Sequence, residues 1–120
     1  MKIFSSDNTK NIFFQIVRIP CNKQGLLDQN ILKQQLEYNH NEIQKHIICT
    51  FNAASNVTGI RTDVDTISSL VHQYHGWIFW DYASAAPYIK IDMNASETSY
   101  KDAVFISTHK FVGGPGTPGM

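Results

Sequence analysis

The residues with the greatest chemical content are Ser107-Thr108-His109-Lys110, set between the apolar run Ala103-Val104-Phe105-Ile106 and the turn Phe111-Val112-Gly113-Gly114-Pro115-Gly116. A solvated lysine has a pKa near ~10.4, so it acts as a nucleophile only where the fold desolvates it or places positive charge nearby. A strand that delivers a lysine into a Gly/Pro-rich turn, beside a hydroxyl and an imidazole, offers that control; the plain alternative is a solvated loop lysine. Upstream, Asp81 closes the aromatic run Trp77-Ile78-Phe79-Trp80. Its plain role is a turn or cap carboxylate for Asp81-Tyr82-Ala83-Ser84. Its chemical role is a charge-assisted hydrogen bond that keeps a heteroaromatic nitrogen protonated.

An acid and a lysine in those roles form the pair that pyridoxal-phosphate chemistry needs: one group makes the imine, the other turns the ring into an electron sink. Ser107 and His109 alternate with Thr108 along a strand end, which puts both on one side, where a hydroxyl and an imidazole can hold a phosphate or satisfy the local turn. Asn56, in the polar stretch Asn52-Ala53-Ala54-Ser55-Asn56-Val57-Thr58-Gly59, bonds a ring oxygen or makes an Asx turn. His72 and His75 lie three residues apart but lack a third ligand of suitable spacing, and read as helix-surface or C-terminal-turn residues. The glycines after Lys110 are not a nucleotide loop: the Gly-Lys-Ser/Thr ending is missing, and prolines remove amide donors. No Gly-x-Gly-x-x-Gly follows the first strand, which disfavours a dinucleotide fold.

The positioning elements follow from periodicity. Residues 12–19 are a β-branched and aromatic run stopped by Pro20, hence a strand. Residues 24–39 place Leu26, Leu27, Ile31, Leu32, Leu36 and Tyr38 near a 3.6-residue period, with Asp28 available as a cap. Residues 47–51 read as a buried strand. Thr62-Asp63-Val64-Asp65 resembles a capping box whose threonine hydroxyl accepts from the N3 amide; Ile67, Leu70, Val71 and Tyr74 then recur at helical spacing, and Gly76 supplies the stop. Strands follow at 77–80 and 103–107, joined by a connection around Pro87 that holds a short helix or an extended piece. This alternation predicts an α/β fold, three-layer α/β/α with a mostly parallel sheet. Ligands in such sheets sit beyond the carboxyl ends of the strands, where Ser55/Asn56, Asp81/Ser84 and Ser107/His109/Lys110 all fall.

Composition bounds the rest. At 120 residues, 42% hydrophobic and 17% charged, the chain has the length of one globular domain. Ten basic and ten acidic side chains cancel, giving no electrostatic case for nucleic acid or an acidic membrane surface. No stretch approaches the ~20 apolar residues of a membrane span, and the N-terminus lacks a signal peptide's apolar centre. A cytoplasmic protein is expected, and the acceptor-like triplets at Asn56 and Asn94 read as chance matches. Cys21 and Cys49, far apart with apolar neighbours, read as buried thiols. The ending Gly113-Gly114-Pro115-Gly116-Thr117-Pro118-Gly119-Met120 looks like a turn entering another strand, so residues 1–120 are expected to be a fragment.

From about Ile47 to Gly119, through Ser55-Asn56-Val57-Thr58-Gly59, Asp81-Tyr82-Ala83 and Ser107-Thr108-His109-Lys110, the chain resembles the class V (cysteine-desulfurase-like) branch of the fold-type I aminotransferases. The resemblance implies part of the large, pyridoxal-phosphate-binding domain of a homodimeric enzyme that acts on an amino acid by transamination or carbon–sulfur cleavage. It implies Lys110 as the Schiff-base lysine, Asp81 on the pyridine nitrogen, Ala83 under the ring, Asn56 on the phenolic oxygen, and Ser107 and His109 on the phosphate. Ser84 departs from the family, which commonly has Gln or His there. The upstream ring-stacking loop, the substrate-carboxylate arginine and the persulfide cysteine have no counterpart, so the chain by itself is expected to be inactive. The rival reading is a non-catalytic α/β binding module that keeps these residues without turnover.

Overall fold

The computed structural model describes residues 2–6, 12–43 and 46–118. Met1, Asp7, Gly119 and Met120, which belong to the terminal stretches considered above, lie outside them. Among the described residues five strands form a single sheet in the order β2-β1-β3-β4-β5, accompanied by two α-helices. The strands are β1 (Lys2–Ser6), β2 (Ile12–Ile16), β3 (His46–Asn52), β4 (Trp77–Asp81) and β5 (Ala103–Phe105). β3, β4 and β5 pair in parallel, while β1 pairs antiparallel with both β2 and β3. A strand antiparallel to β1 runs the same way as β3, so β2 through β5 share one direction except for the inserted β1. The α/β fold with a mostly parallel sheet is therefore present, with β1 as a strand that the sequence pattern did not single out.

The register sorts the strand residues into two faces. Ile47, Cys49, Ile78 and Trp80 share one face and meet Leu32 and Leu36 of α1 (Gln29–Ile43) and Ile67 and Val71 of α2 (Val64–Gln73) in one core. Each large side chain buried there contributes about 1.5–3 kcal/mol. The Trp80 indole remains satisfied because its Nε1 donates to Ser68 Oγ, a buried hydroxyl on α2, at 2.9 Å. The opposite face carries Thr50, Asn52, Trp77, Phe79, Asp81 and Phe105. Among the described residues no helix packs on it, and Trp77 and Phe105 are 59% and 52% exposed. Two of the three expected layers are thus supplied by the described residues.

Local chemistry shifts several boundaries. Helix α1 starts at Gln29 rather than at residue 24, because Asn22 Oδ1 accepts from the amides of Gln24 and Leu26 and holds that segment in a tight loop. Asp28 is the cap, its Oδ1 accepting from Asn30 and Ile31. For α2 the cap is Asp63, which accepts from Thr66 N, whereas the Thr62 hydroxyl donates to Asn52 O across the loop. β5 ends at Phe105, two residues short of the expected strand, because Thr108–Lys110 winds into a 3-10 turn. Residues 82–89 form successive turns, with Ala86 N donating to Tyr82 O and Ile89 N to Ala85 O.

The long return to β5 is pinned by polar contacts, among them those of one buried lysine. Lys101, whose side chain is 1% exposed, donates to Asp65 Oδ1 at 2.9 Å and to Asp92 O at 2.8 Å. Asp102 Oδ2 accepts from Ile78 N at 2.8 Å and lies 3.0 Å from His72 Nε2. His72, expected on the surface, is instead largely buried and stacks on Tyr100 with ring centroids 3.9 Å apart.

Helix α2 ends in a Schellman motif: His75 N donates to His72 O and Gly76 N to Val71 O. The left-handed position is His75 (φ 55°), not Gly76. Gly76 is required for space, since a Cβ there would lie 2.9 Å from Val71 Cγ1 and 3.3 Å from Ile47 Cγ2. Val71 is β-branched and fully buried and cannot swing aside. Gly76→Ala is accordingly expected to cost about 1–3 kcal/mol in urea unfolding, whereas His75→Gly relieves a left-handed penalty of about 1 kcal/mol. A Gly76→Ala variant as stable as the parent would contradict this packing.

Candidate functional site

Parallel pairing brings three strand ends level. Asn52, Asp81 and Phe105 are partners in one row across β3, β4 and β5. Two backbone bonds carry the row past the strands: Ala53 N donates to Asp81 O at 2.9 Å and Tyr82 N to Phe105 O at 2.8 Å. The loops 53–62 and 82–89 and the segment 106–118 therefore leave the sheet side by side at its C-terminal edge, the binding edge of α/β sheets.

The first loop closes on itself through Ser55 N to Ile60 O and Thr62 N to Ala53 O, both 2.9 Å. Ser55 Oγ, rather than Asn56, caps its turn by accepting from Val57 N and Thr58 N, which leaves Asn56 exposed at the tip. On the second loop, Asp81 is half-buried and its Oδ1 accepts from Ala83 N at 2.7 Å, which fills the turn role and engages one of its two carboxylate oxygens. Ala83 is half-buried beside it. The Ser84 hydroxyl donates to Ala54 O at 3.2 Å and ties the second loop to the first.

The third segment departs from expectation. Ser107 is the N-cap of the 3-10 turn Thr108–Lys110, and Lys110 N donates to Ser107 O at 3.0 Å. With three residues per turn, Ser107 and Lys110 fall on one side, and His109 is rotated by about two-thirds of a turn from Ser107. The strand alternation predicted for Ser107 and His109 is therefore lost. Ser107 is half-buried, while His109 and Lys110 are exposed. Gly114 lets the chain fold back against this turn, because a Cβ there would run into the Thr108 carbonyl oxygen. Asn56, Asp81, Ala83, Ser107, His109 and Lys110 thus share one edge, and no hydrogen bond among the described residues links their side chains to one another.

A cleft of ≈ 330 Å³ opens at this edge, lined by Thr50, Phe51, Asn52, Phe79, Asp81 and Phe105. Asp81 lines this cleft; its Oδ2 takes no donor among the described residues, while its Oδ1 accepts from Ala83 N. A half-buried carboxylate held by one oxygen fits a protonated ring nitrogen, and the Ser107 hydroxyl and Lys110 amine, on one side of the 3-10 turn, fit a phosphate oxygen and a carbonyl carbon, with the His109 imidazole turned away from them. Two features were missed in the sequence. Arg61 lines a second cavity beside Asn56. Cys21, expected to be buried, is exposed on a third cavity that also contains Asn52 and Asn56. The only signal for Arg61 was its place two residues after Gly59, which becomes informative once the loop is closed.

The family model for aminotransferase class-V matches residues 7–118. No curated protein matches the chain significantly. Among solved structures, the chain is similar to a NifS-like protein from Rickettsia africae, with 26% sequence identity and a TM-score of 0.70 over 84% of this chain. The match covers 26% of that protein, so the chain spans about a quarter of its length.

The two cysteines differ in burial, Cys21 exposed and Cys49 buried, which predicts a difference in reactivity. Burial pushes the Cys49 thiol from its ordinary 9.0 up to about 12, so it stays neutral, and non-nucleophilic, at pH 8. Iodoacetamide at pH 8 should label Cys21 and spare Cys49 until denaturant is added, as read by peptide mass spectrometry. The raised value also has a sign for stability. Above pH 9 the unfolded thiol ionises while the folded one does not, so stability falls by about 1.4 kcal/mol per pH unit until the folded group ionises. Equal labelling of both thiols in the native chain would contradict the buried placement of Cys49.

Proposed function

The chain belongs to the aminotransferase class-V family, and on that premise we propose that residues 1–120 form part of the large, cofactor-binding domain of a pyridoxal-phosphate enzyme acting on an amino acid, by transamination or carbon–sulfur cleavage. The observation that carries this reading is the level row Asn52, Asp81 and Phe105, which sends the Asn56, Asp81/Ala83 and Ser107–Lys110 segments out along one edge. When bound, the cofactor supplies an electron sink for charge developing at the substrate α-carbon.

The chain's own residues divide the work. Lys110 supplies the amine that attaches the cofactor and afterwards moves a proton at the substrate α-carbon. Asp81 keeps the ring nitrogen protonated through Oδ2, while Oδ1, held by Ala83 N, stops the carboxylate from rotating away. Ala83 packs against the ring face, Asn56 orients the phenolic oxygen, and Ser107 and His109 hold the phosphate. On this reading the enzyme is cytoplasmic and works as a homodimer, in which further polypeptide excludes water from the cleft. A second reading, a binding module without turnover, draws on one observation: the sheet face that exposes Trp77 and Phe105 is suited to contact with another polypeptide.

The test is a pyridoxal-phosphate titration followed by borohydride reduction and peptide mapping. A saturable yellow species trapped on Lys110 is expected, with complete loss of that adduct in Lys110→Ala. In Asp81→Asn the cofactor should bind about tenfold more weakly or worse, as befits loss of a charge-assisted hydrogen bond. Adducts scattered over surface lysines, or an undiminished adduct in Lys110→Ala, would reject the assignment and leave the binding-module reading.

A further inference from the structure

On helix α2, His72 is held between two acceptors. Its Nδ1 lies 2.8 Å from Thr98 O and its Nε2 lies 3.0 Å from Asp102 Oδ2, while the ring stacks on Tyr100. A backbone carbonyl cannot donate, and Asp102 Oδ2 already accepts from Ile78 N of β4 at 2.8 Å. A neutral imidazole has one N–H and one lone pair, so it satisfies only one of the two contacts. In the other, a ring lone pair would face an oxygen lone pair with no proton between them. The imidazolium has two N–H donors and satisfies both. The side chain is only 10% exposed, which leaves little access for water to replace a lost donor.

The two contacts are unequal. A hydrogen bond to a carboxylate is roughly twice as strong as one to a neutral carbonyl. Loss of one ring proton to solvent therefore removes Nδ1–H and keeps Nε2–H on Asp102. The segment around Thr98 is otherwise lightly held: Thr98 N and Ser99 N both donate to Ser96 Oγ within it, and Ser69 Oγ of α2 approaches Thr98 Oγ1 at 3.5 Å. The residues that follow have their own anchors, Lys101 on Asp65 and Asp92 O, and Asp102 on Ile78 N. We propose that His72 is a pH-sensitive latch: as the imidazolium it clips residues 96–100 to α2, and as the neutral ring it releases Thr98 while Asp102 and the start of β5 stay in place. From the return segment, Asp102 and the Tyr100 phenol touch the ring; Glu97 is exposed, and the Lys101 ammonium is turned to Asp65 of α2. His75, beyond the end of the helix, lies against His40 of α1. Of these side-chain types only imidazole ordinarily changes charge between pH 5 and 8. The sign follows: the latch is closed at the acid end of that window and opens as pH rises.

The experiment follows the isotope-labelled chain between about pH 5.5 and pH 8.5, by long-range proton–nitrogen NMR of the imidazole rings and by amide exchange corrected for its intrinsic pH dependence. At the low end both His72 nitrogens should carry protons. As pH rises, Nδ1 alone should lose its proton, and protection of the Thr98 and Ser99 amides should fall in step by about tenfold or more. The Asp102 amide, which donates to Ile78 O, should keep its protection. His72→Gln, which cannot titrate, should abolish this pH dependence while the titrations of His40 and His75 persist. A ring with a single N–H throughout the range, or loss of the Nε2 proton instead, overturns the proposal. So does ring titration without a change at Thr98 and Ser99, loss of Asp102 protection, or the same pH dependence in His72→Gln. If that variant does not fold, the ring spectra and amides of the parent decide the matter alone. No cofactor enters these measurements, so the latch and the Lys110 assignment stand or fall separately.

Discussion

The candidate site depends on the parallel register of β3, β4 and β5. One-residue slippage of β4 would send Asp81 to the helix-covered face and Trp80 to the open one, exchanging a buried indole for a carboxylate. The cost of burying that charge, together with loss of the Trp80–Ser68 hydrogen bond, selects the observed register. The same register levels Asn52, Asp81 and Phe105 and lets the backbone pairing continue to Ala53 and Tyr82. Positions at the mouth of the site are thus set by core packing some distance away from it.

Among the described residues the core is one-sided. Leu32, Leu36, Ile67 and Val71 seal one face of the sheet, while the other presents Trp77, Phe79 and Phe105. Phe79 and Phe105 meet edge to face at 6.4 Å and form a wall of the Asp81 cleft. The open face is therefore continuous with the candidate site: whatever covers it would also change the polarity and water content around Asp81, on which the strength of a charge-assisted bond depends.

Rigidity is distributed unevenly along the edge. Asp81 stands on a strand with one oxygen fixed, and the 53–62 loop is locked by paired backbone bonds and by Ser84. The return to β5 is anchored by Lys101 on Asp65 and by Asp102 on Ile78 N, so the strand that delivers Ser107 cannot drift relative to α2. Lys110 and His109, by contrast, sit on a short exposed 3-10 turn. On the proposed reading, the precisely held acid would hold the ring and the more adaptable amine would move protons.

Much of this was written in the sequence. Hydrophobic runs with β-branched and aromatic residues defined β3 and β4, the 3.6-residue period defined α2, and the order of polar strand ends pointed to one edge bearing Asn56, Asp81 and Lys110. Those signals are local or depend only on alternation, so they survive without a structure. Other features arise only when distant segments meet. The inserted antiparallel β1 depends on pairing with β3, which no local pattern encodes. Whether Thr62 or Asp63 caps α2 was decided by Asn52 O, ten residues upstream of Thr62, competing for the threonine hydroxyl. The burial of His72 depends on Asp102 and Tyr100, and the exposure of Cys21 on a loop shaped by Asn22. Arg61 became meaningful only when loop closure set it against Ala54 and the 82–89 turns. Residue type and order determined the chemistry available to this chain; long-range pairing decided which of those groups share a cavity, because contacts between segments far apart in sequence leave no periodic trace in it.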